Sequence, residues 1–342
     1  MKHWKATSGA LALALTLALG QGDAVAQSKP KVTVAIGGAA CLCYLPTVLA
    51  KQLGEYEKAG VEVEMVDFKG GSQALTAVLG GSADVVSGYF DHTVNLAAKN
   101  QIMQSIVVYD RYPGFALVVS PKQTGTIKSV KDLAGKAVGV SAPGSSTDFF
   151  LKYIAKKNGM DPTSISVVGV GLGATAVAAM EQGKVDAAIM LDPALTLLQG
   201  KFKDLVILAD TRTQKDTLSV FGGEYPGGAL YTRADWIDSH PKEAQALTNA
   251  IVATLKWIHS HKAEEIMAKM PEELVGKDKE LYLAALKNTI PMYSETGLMD
   301  PKGAQAVLAV FSESSPAVAQ AKIDLSKTYT NKFVEQASKP SN

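Results

Sequence analysis

Residues 143–147, Pro143-Gly144-Ser145-Ser146-Thr147, place a glycine and three hydroxyl side chains where a strand gives way to a helix. The first N–H groups of a helix have no partner inside it and attract an anion. A glycine lets the backbone approach closely. The same residues are also ordinary N-caps, so the loop reads either as an acid-group cradle or as a cap. A second cluster, Tyr89-Phe90-Asp91-His92, sets two aromatics beside a carboxylate and an imidazole. It reads either as a platform for a ring, with Asp91 available to a cation, or as a core aromatic next to a solvated acid and a hydrogen-bonded histidine. His92 has no nucleophile at triad spacing, so no catalytic residue is assigned. Asp192-Pro193 and Glu224-Tyr225 complete the set. Asp192 either caps the next helix or meets a ligand.

The two cysteines are Cys41 and Cys43. In an extended strand their Cα atoms would sit near the upper limit for a bridge. They are therefore expected as reduced thiols packed beside the site. No His or further Cys stands at metal-ligand spacing, and no cofactor is expected.

These residues fall at matching places in an internal repeat. Lys31–Ile36 alternates and is β-branched, as a strand requires. A loop follows, then a helix over 45–53, glycines, and a second alternating strand over 61–68. From Lys136 the order returns: a strand over 137–141, a loop, a helix over 147–157 closed by Asn158-Gly159, and a strand over 165–170. Each half continues with a helix and a third strand, marked by Asp84 and Asp186. Two β-α-β-α-β units imply parallel sheets with right-handed crossovers. Ligands of such sheets bind beyond the carboxyl ends of the strands, which selects the loops holding the residues above. Phe115–Val119 and Ala229–Tyr231 read as two crossings, hence a two-segment hinge. The expected boundaries are a first lobe of 27–117 plus 220–342, with C-terminal helices packed on a lobe, and a second lobe of 118–219.

Lys2 and Lys5, the apolar run over 11–20 and Ala24-Val25-Ala26 form a secretory signal, residues 1–26. The run is too short to span a bilayer. Without it the chain is formally neutral, with 32 basic and 32 acidic residues. It carries no basic block for nucleic acid. At 47 % hydrophobic content it has ample core. A freely soluble periplasmic monomer is expected.

Residues 53–63 (LGEYEKAGVEV), 80–86, 131–136 (KDLAGK), Gly144-Ser145-Ser146 and 182–187 (QGKVDA) resemble the periplasmic solute-binding proteins of ABC importers for nitrate, sulfonates and taurine, a group that includes pyrimidine-precursor binders. The resemblance implies an α/β type II periplasmic binding fold and a non-enzymatic receptor that delivers a small molecule to importer membrane subunits. It places ligand contacts at Cys41, Leu42 and Tyr44, at Gly88, Tyr89, Asp91 and His92, at Ser145, Ser146 and Thr147, and at Asp192 and Tyr225. The bulky 89–92 loop departs from sulfonate binders. It favours a ligand larger than taurine or nitrate, still a small organic anion: a sulfonate or carboxylate, aromatic or aliphatic. An enzyme of the same architecture, pyrimidine- or naphthoate-forming, and a periplasmic sensor partner are the alternatives.

Overall fold

The computed structural model describes Met1 and residues 29–339; beyond Met1, the expected signal segment lies outside the described residues. The alternating runs form ten strands: β1 Lys31–Ile36, β2 Glu62–Asp67, β3 Val85–Tyr89, β4 Met103–Val108, β5 Ala116–Val119, β6 Ala137–Val140, β7 Ser166–Gly169, β8 Ala187–Met190, β9 Ile207–Asp210 and β10 Gly228–Arg233. They make two five-stranded sheets, ordered β2-β1-β3-β10-β4 and β7-β6-β8-β5-β9. The parallel triple β2-β1-β3 of the first sheet is repeated as β7-β6-β8 in the second.

The duplicated aspartates explain part of that repetition. Asp84 Oδ2 accepts from the Thr33 N–H at 2.7 Å, and Asp186 Oδ2 accepts from the Ala137 N–H at 2.8 Å. Each backbone N–H also donates back, Asp84 to Thr33 O and Asp186 to Ala137 O. The same side chain therefore pins the third strand of each unit to its first.

The sheets are mixed, not parallel throughout. β5 pairs antiparallel with β8 and β9, and β10 pairs antiparallel with β3 and β4. The reason is the route of the chain. Each crossing segment enters its sheet at the carboxyl edge of the parallel strands, so its strand runs away from that edge. β5 lies wholly in the second sheet, beginning at Ala116, and Gln214–Phe221 is one continuous helix. The crossings are tied together: the Thr211 N–H donates to Phe115 O at 2.7 Å, and the Phe115 N–H donates to Thr211 Oγ1 at 2.8 Å.

The C-terminal helices do more than cover one lobe. Pro241–Ser260 packs on Leu45–Gln52 and β4, beside the first sheet. Pro301–Ser314 touches helices of both halves, Asp91–Ala97 and Ser146–Lys157. Phe311 meets Phe149 edge-on at 4.9 Å. Lys279–Thr289 lies against Ala194–Lys201 of the second half. No helix among the described residues is long and apolar enough to cross a membrane.

Candidate ligand-binding cleft

The carboxyl edges of the two sheets face each other and are in contact. The Ser72 N–H donates to Ser145 Oγ at 3.0 Å, and Ser72 Oγ donates to Pro143 O at 3.0 Å. The Leu42 N–H donates to Asp192 O at 2.9 Å. Gly70 permits this approach: a Cβ there would lie 2.9 Å from Ala142 Cβ and 3.0 Å from Ser145 Oγ.

The loop over 143–147 opens the helix Ser146–Lys157, with Ser145 extended at the N-cap. Asp148 in its first turn and Lys156 and Lys157 in its last match the helix dipole. Gly144 has φ +78°, a conformation that favours glycine. Its N–H donates to Asp148 Oδ2 at 2.7 Å. All three hydroxyls have protein partners: Ser145 with Ser72, Thr147 with Ser141, and Ser146 with Asp91. The N–H groups of Ser146 and Thr147 have no hydrogen-bond partner among the described residues.

Asp91 and His92 begin the helix Asp91–Ala97, not a loop. Asp91 is fully buried. Its Oδ1 accepts from Ser146 Oγ at 2.7 Å and its Oδ2 from Tyr225 OH at 3.0 Å. A carboxylate of the first half thus holds the helix start of the second. Loss of solvent pushes this carboxyl up to about 7, partly opposed by the two hydroxyl donors. His92 Nδ1 lies 2.7 Å from Tyr231 OH, and its buried Nε2 has no partner among the described residues. Burial pulls the imidazole down to about 4, so the ring is neutral at pH 7. Gly88 lies under Tyr231. Phe90 packs toward Tyr329, which leaves Tyr89 as the cleft's aromatic from this segment.

Among the described residues, an inner and an outer cavity lie between the halves. The inner one has a volume of about 10 Å³, the space of one water. Its walls are Tyr44, Tyr89 and Phe115 on one side and Ser141, Ser145, Ser146 and Thr147 on the other, with Cys43, Gly71, Leu172 and Leu191 between. Tyr89 stacks on Phe115 at 5.1 Å and meets Tyr44 edge-on at 6.1 Å. The outer cavity, about 450 Å³, shares Cys43 and Leu191 and is further lined by Cys41, Leu42, Asp192, Arg212 and Lys287. Among the residues singled out from sequence, Tyr44, Tyr89, Ser145, Ser146 and Thr147 therefore line the inner cavity, and Cys41, Leu42 and Asp192 the outer. Gly88, Asp91, His92 and Tyr225 stand behind these walls.

Several wall residues were not named as contacts from sequence. Leu172 and Leu191 lie in strand-end loops that the carboxyl-end rule selects, and Ser141 ends the strand expected over 137–141, but size and polarity alone do not mark them as contacts. Asp210 ends β9 and Arg212 lies two residues beyond it, at the carboxyl end of a short strand that the same rule would have selected. Lys287 comes from a C-terminal helix and left no signal.

The cysteines correct the expectation of reduced thiols: Cys41 and Cys43 form a disulfide, with Cα atoms 5.1 Å apart. The segment is not a strand. Cys41 caps a 3-10 turn over Leu42–Tyr44, and the turn shortens the separation into the range for bridging.

Two repeated sheets with a ligand-sized cleft at their carboxyl edges define the periplasmic-binding-protein fold. The chain belongs to the NMT1-like family, which it matches over residues 27–271. A solved structure from Bordetella bronchiseptica RB50 is 40% identical, covers 91% of this chain and 97% of its own, and superposes with a TM-score of 0.87. The alkanesulfonate-binding protein SsuA from Xanthomonas axonopodis pv. citri, bound to MOPS, superposes at 0.67 with 18% identity, covering 88% and 98% of the two chains. Among curated relatives, the nitrate/nitrite binding protein NrtA of Nostoc sp. is 24% identical over 243 residues, 66% of this chain and 53% of that protein. The 4-amino-5-hydroxymethyl-2-methylpyrimidine phosphate synthase of Uromyces fabae is 25% identical over 230 residues, 65% of each chain. The chain thus spans about half the length of the cyanobacterial relative.

Proposed function

We propose that the protein is the periplasmic substrate-binding receptor of an ABC importer, and that it captures a small organic acid between two lobes. The observation that carries this reading is the inner cavity. It sets free helix-start N–H groups at Ser146 and Thr147 opposite an aromatic wall of Tyr44, Tyr89 and Phe115. The first would hold an acid group, the second an apolar or aromatic body. Among the described residues no charged side chain lines that cavity, which favours a singly charged ligand over a dianion. The family and the relatives named for nitrate and sulfonate binding support a transport role.

On this reading the first lobe ends before Ala116 and resumes after the helix Gln214–Phe221. The lobes part to admit ligand, because the closed cavity holds little more than a water. The ligand contacts are Tyr44, Tyr89, Ser145, Ser146 and Thr147, with Asp91 and Tyr225 steadying the helix start. The protein works as a monomer, without catalysis, and hands its ligand to the importer's membrane subunits.

Isothermal titration against matched aromatic and aliphatic sulfonates and carboxylates tests it. A one-to-one, saturable acid ligand whose affinity falls in Tyr89→Ala is expected. Binding of only neutral compounds would remove the acid-group assignment.

A further inference from the structure

The outer chamber has a wall that the acid-binding reading does not use. It is about 450 Å³, within the range of roughly 300–1,000 Å³ typical of small-molecule sites. Asp192 stands in that wall and is 8% exposed. Its Oδ1 accepts from both the N–H and the Oγ1 of Thr196, at 3.0 and 2.8 Å. Its Oδ2 has no hydrogen-bond partner among the described residues, yet is not sealed off from the chamber.

The neighbouring cations are already committed. Arg212 turns its Nε and Nη2 to Asp210, at 2.6–3.1 Å. Lys287 reaches out to Glu264 at 2.6 Å and is half exposed. Asp216 adds a further carboxylate to the wall. After pairing, the chamber keeps an excess of negative charge, centred on a buried acid with an open lone pair. Burial raises the Asp192 carboxyl from its ordinary value, opposed only in part by the Thr196 donors and the charge of Arg212, and a cation bound at Oδ2 would offset the remaining cost.

We propose that this chamber is a subsite for an organic ammonium group, held by the Asp192 carboxylate. The group would donate to Oδ2, a charge-assisted bond in a site largely shielded from water. The Cys41–Cys43 disulfide and Leu191, which border both cavities or their junction, would flank the ligand's carbon chain. The proposal adds a second recognition element to the same interlobe site. It takes its biological meaning from the receptor reading, although its test does not depend on that reading.

The test is an NMR titration of the backbone amides with n-propylammonium chloride, using n-propanol and sodium chloride as controls. Saturable shifts at Leu42, Asp192 and Thr196 are expected with the ammonium alone. In Asp192→Asn, which keeps the Oδ1 acceptor for Thr196, the apparent Kd should rise by roughly tenfold or more. Shifts that fail to saturate, that appear equally with propanol, or that persist unchanged in Asp192→Asn would overturn the proposal. The wild-type comparison of ammonium against alcohol stands even if the variant does not fold. Ammonium binding without any organic-acid binding would keep the chamber and remove the acid reading; the reverse result would remove the chamber.

Discussion

Replacing Asp91 with Asn should make the protein more stable than wild type near neutral pH, by an amount that grows with pH. In the fold the Asp91 carboxyl titrates at about 7 instead of its ordinary 3.8. Between those values the native state holds a proton that the unfolded chain has released. Stability then falls as pH rises, with a slope of about 1.4 kcal/mol per pH unit. Across roughly three units the group accounts for a loss of about 4 kcal/mol. The loss begins near pH 4 and is complete above pH 7. Asn keeps the shape: its Oδ1 accepts from Ser146, and its amide can donate to Tyr225. The assay is urea unfolding of both proteins at half-unit steps from pH 4 to pH 8. Taking the difference between the two curves cancels the other buried acids, Asp110 and Asp192, which are raised in the same direction. A difference that stays flat across this range would refute the account of Asp91 as a buried acid without a cation partner.

His92 should show the opposite sign. Its imidazole titrates at about 4 in the fold against 6.5 ordinarily, so its contribution is present above pH 6.5 and lost as pH falls toward 4. Relative to His92→Gln, wild type should gain about 3 kcal/mol between pH 4 and 6.5 in the same unfolding series. Phe115→Ala empties a fully buried wall position stacked on Tyr89; it should cost about 3–5 kcal/mol in urea unfolding. Gly70→Ala puts a Cβ against Ala142 and Ser145 of the other half. It should hold the lobes apart, visible as a larger radius of gyration in X-ray scattering, with little loss of melting temperature.

The repeat was legible because it rests on local pattern. Asp84 and Asp186 each sit between apolar residues, Ala83 and Val85 in one half and Val185 and Ala187 in the other, and each makes the same pair of backbone bonds. The loops of the cleft were legible too, since the carboxyl ends of parallel strands fix where they lie. What each side chain meets was not legible, because the partners come from the other half. Nothing near Ser146 in sequence announces Asp91, and nothing near Leu42 announces the Asp192 carbonyl that accepts its N–H. The cysteines show the same limit at short range. A pair two residues apart is read one way in a strand and another in a turn, and it was the turn at Leu42–Tyr44 that decided it.

The most direct measurement is the distance between the lobes, with and without ligand. Spin labels at Glu64→Cys and Ser166→Cys, exposed positions on the outer strands of the two sheets, would report it by pulsed electron resonance. The free protein should show a broad distribution with an open population. Saturation with the acid ligand found by titration should collapse it to the single closed distance. One unchanging distance, free and bound, would contradict capture by lobe closure.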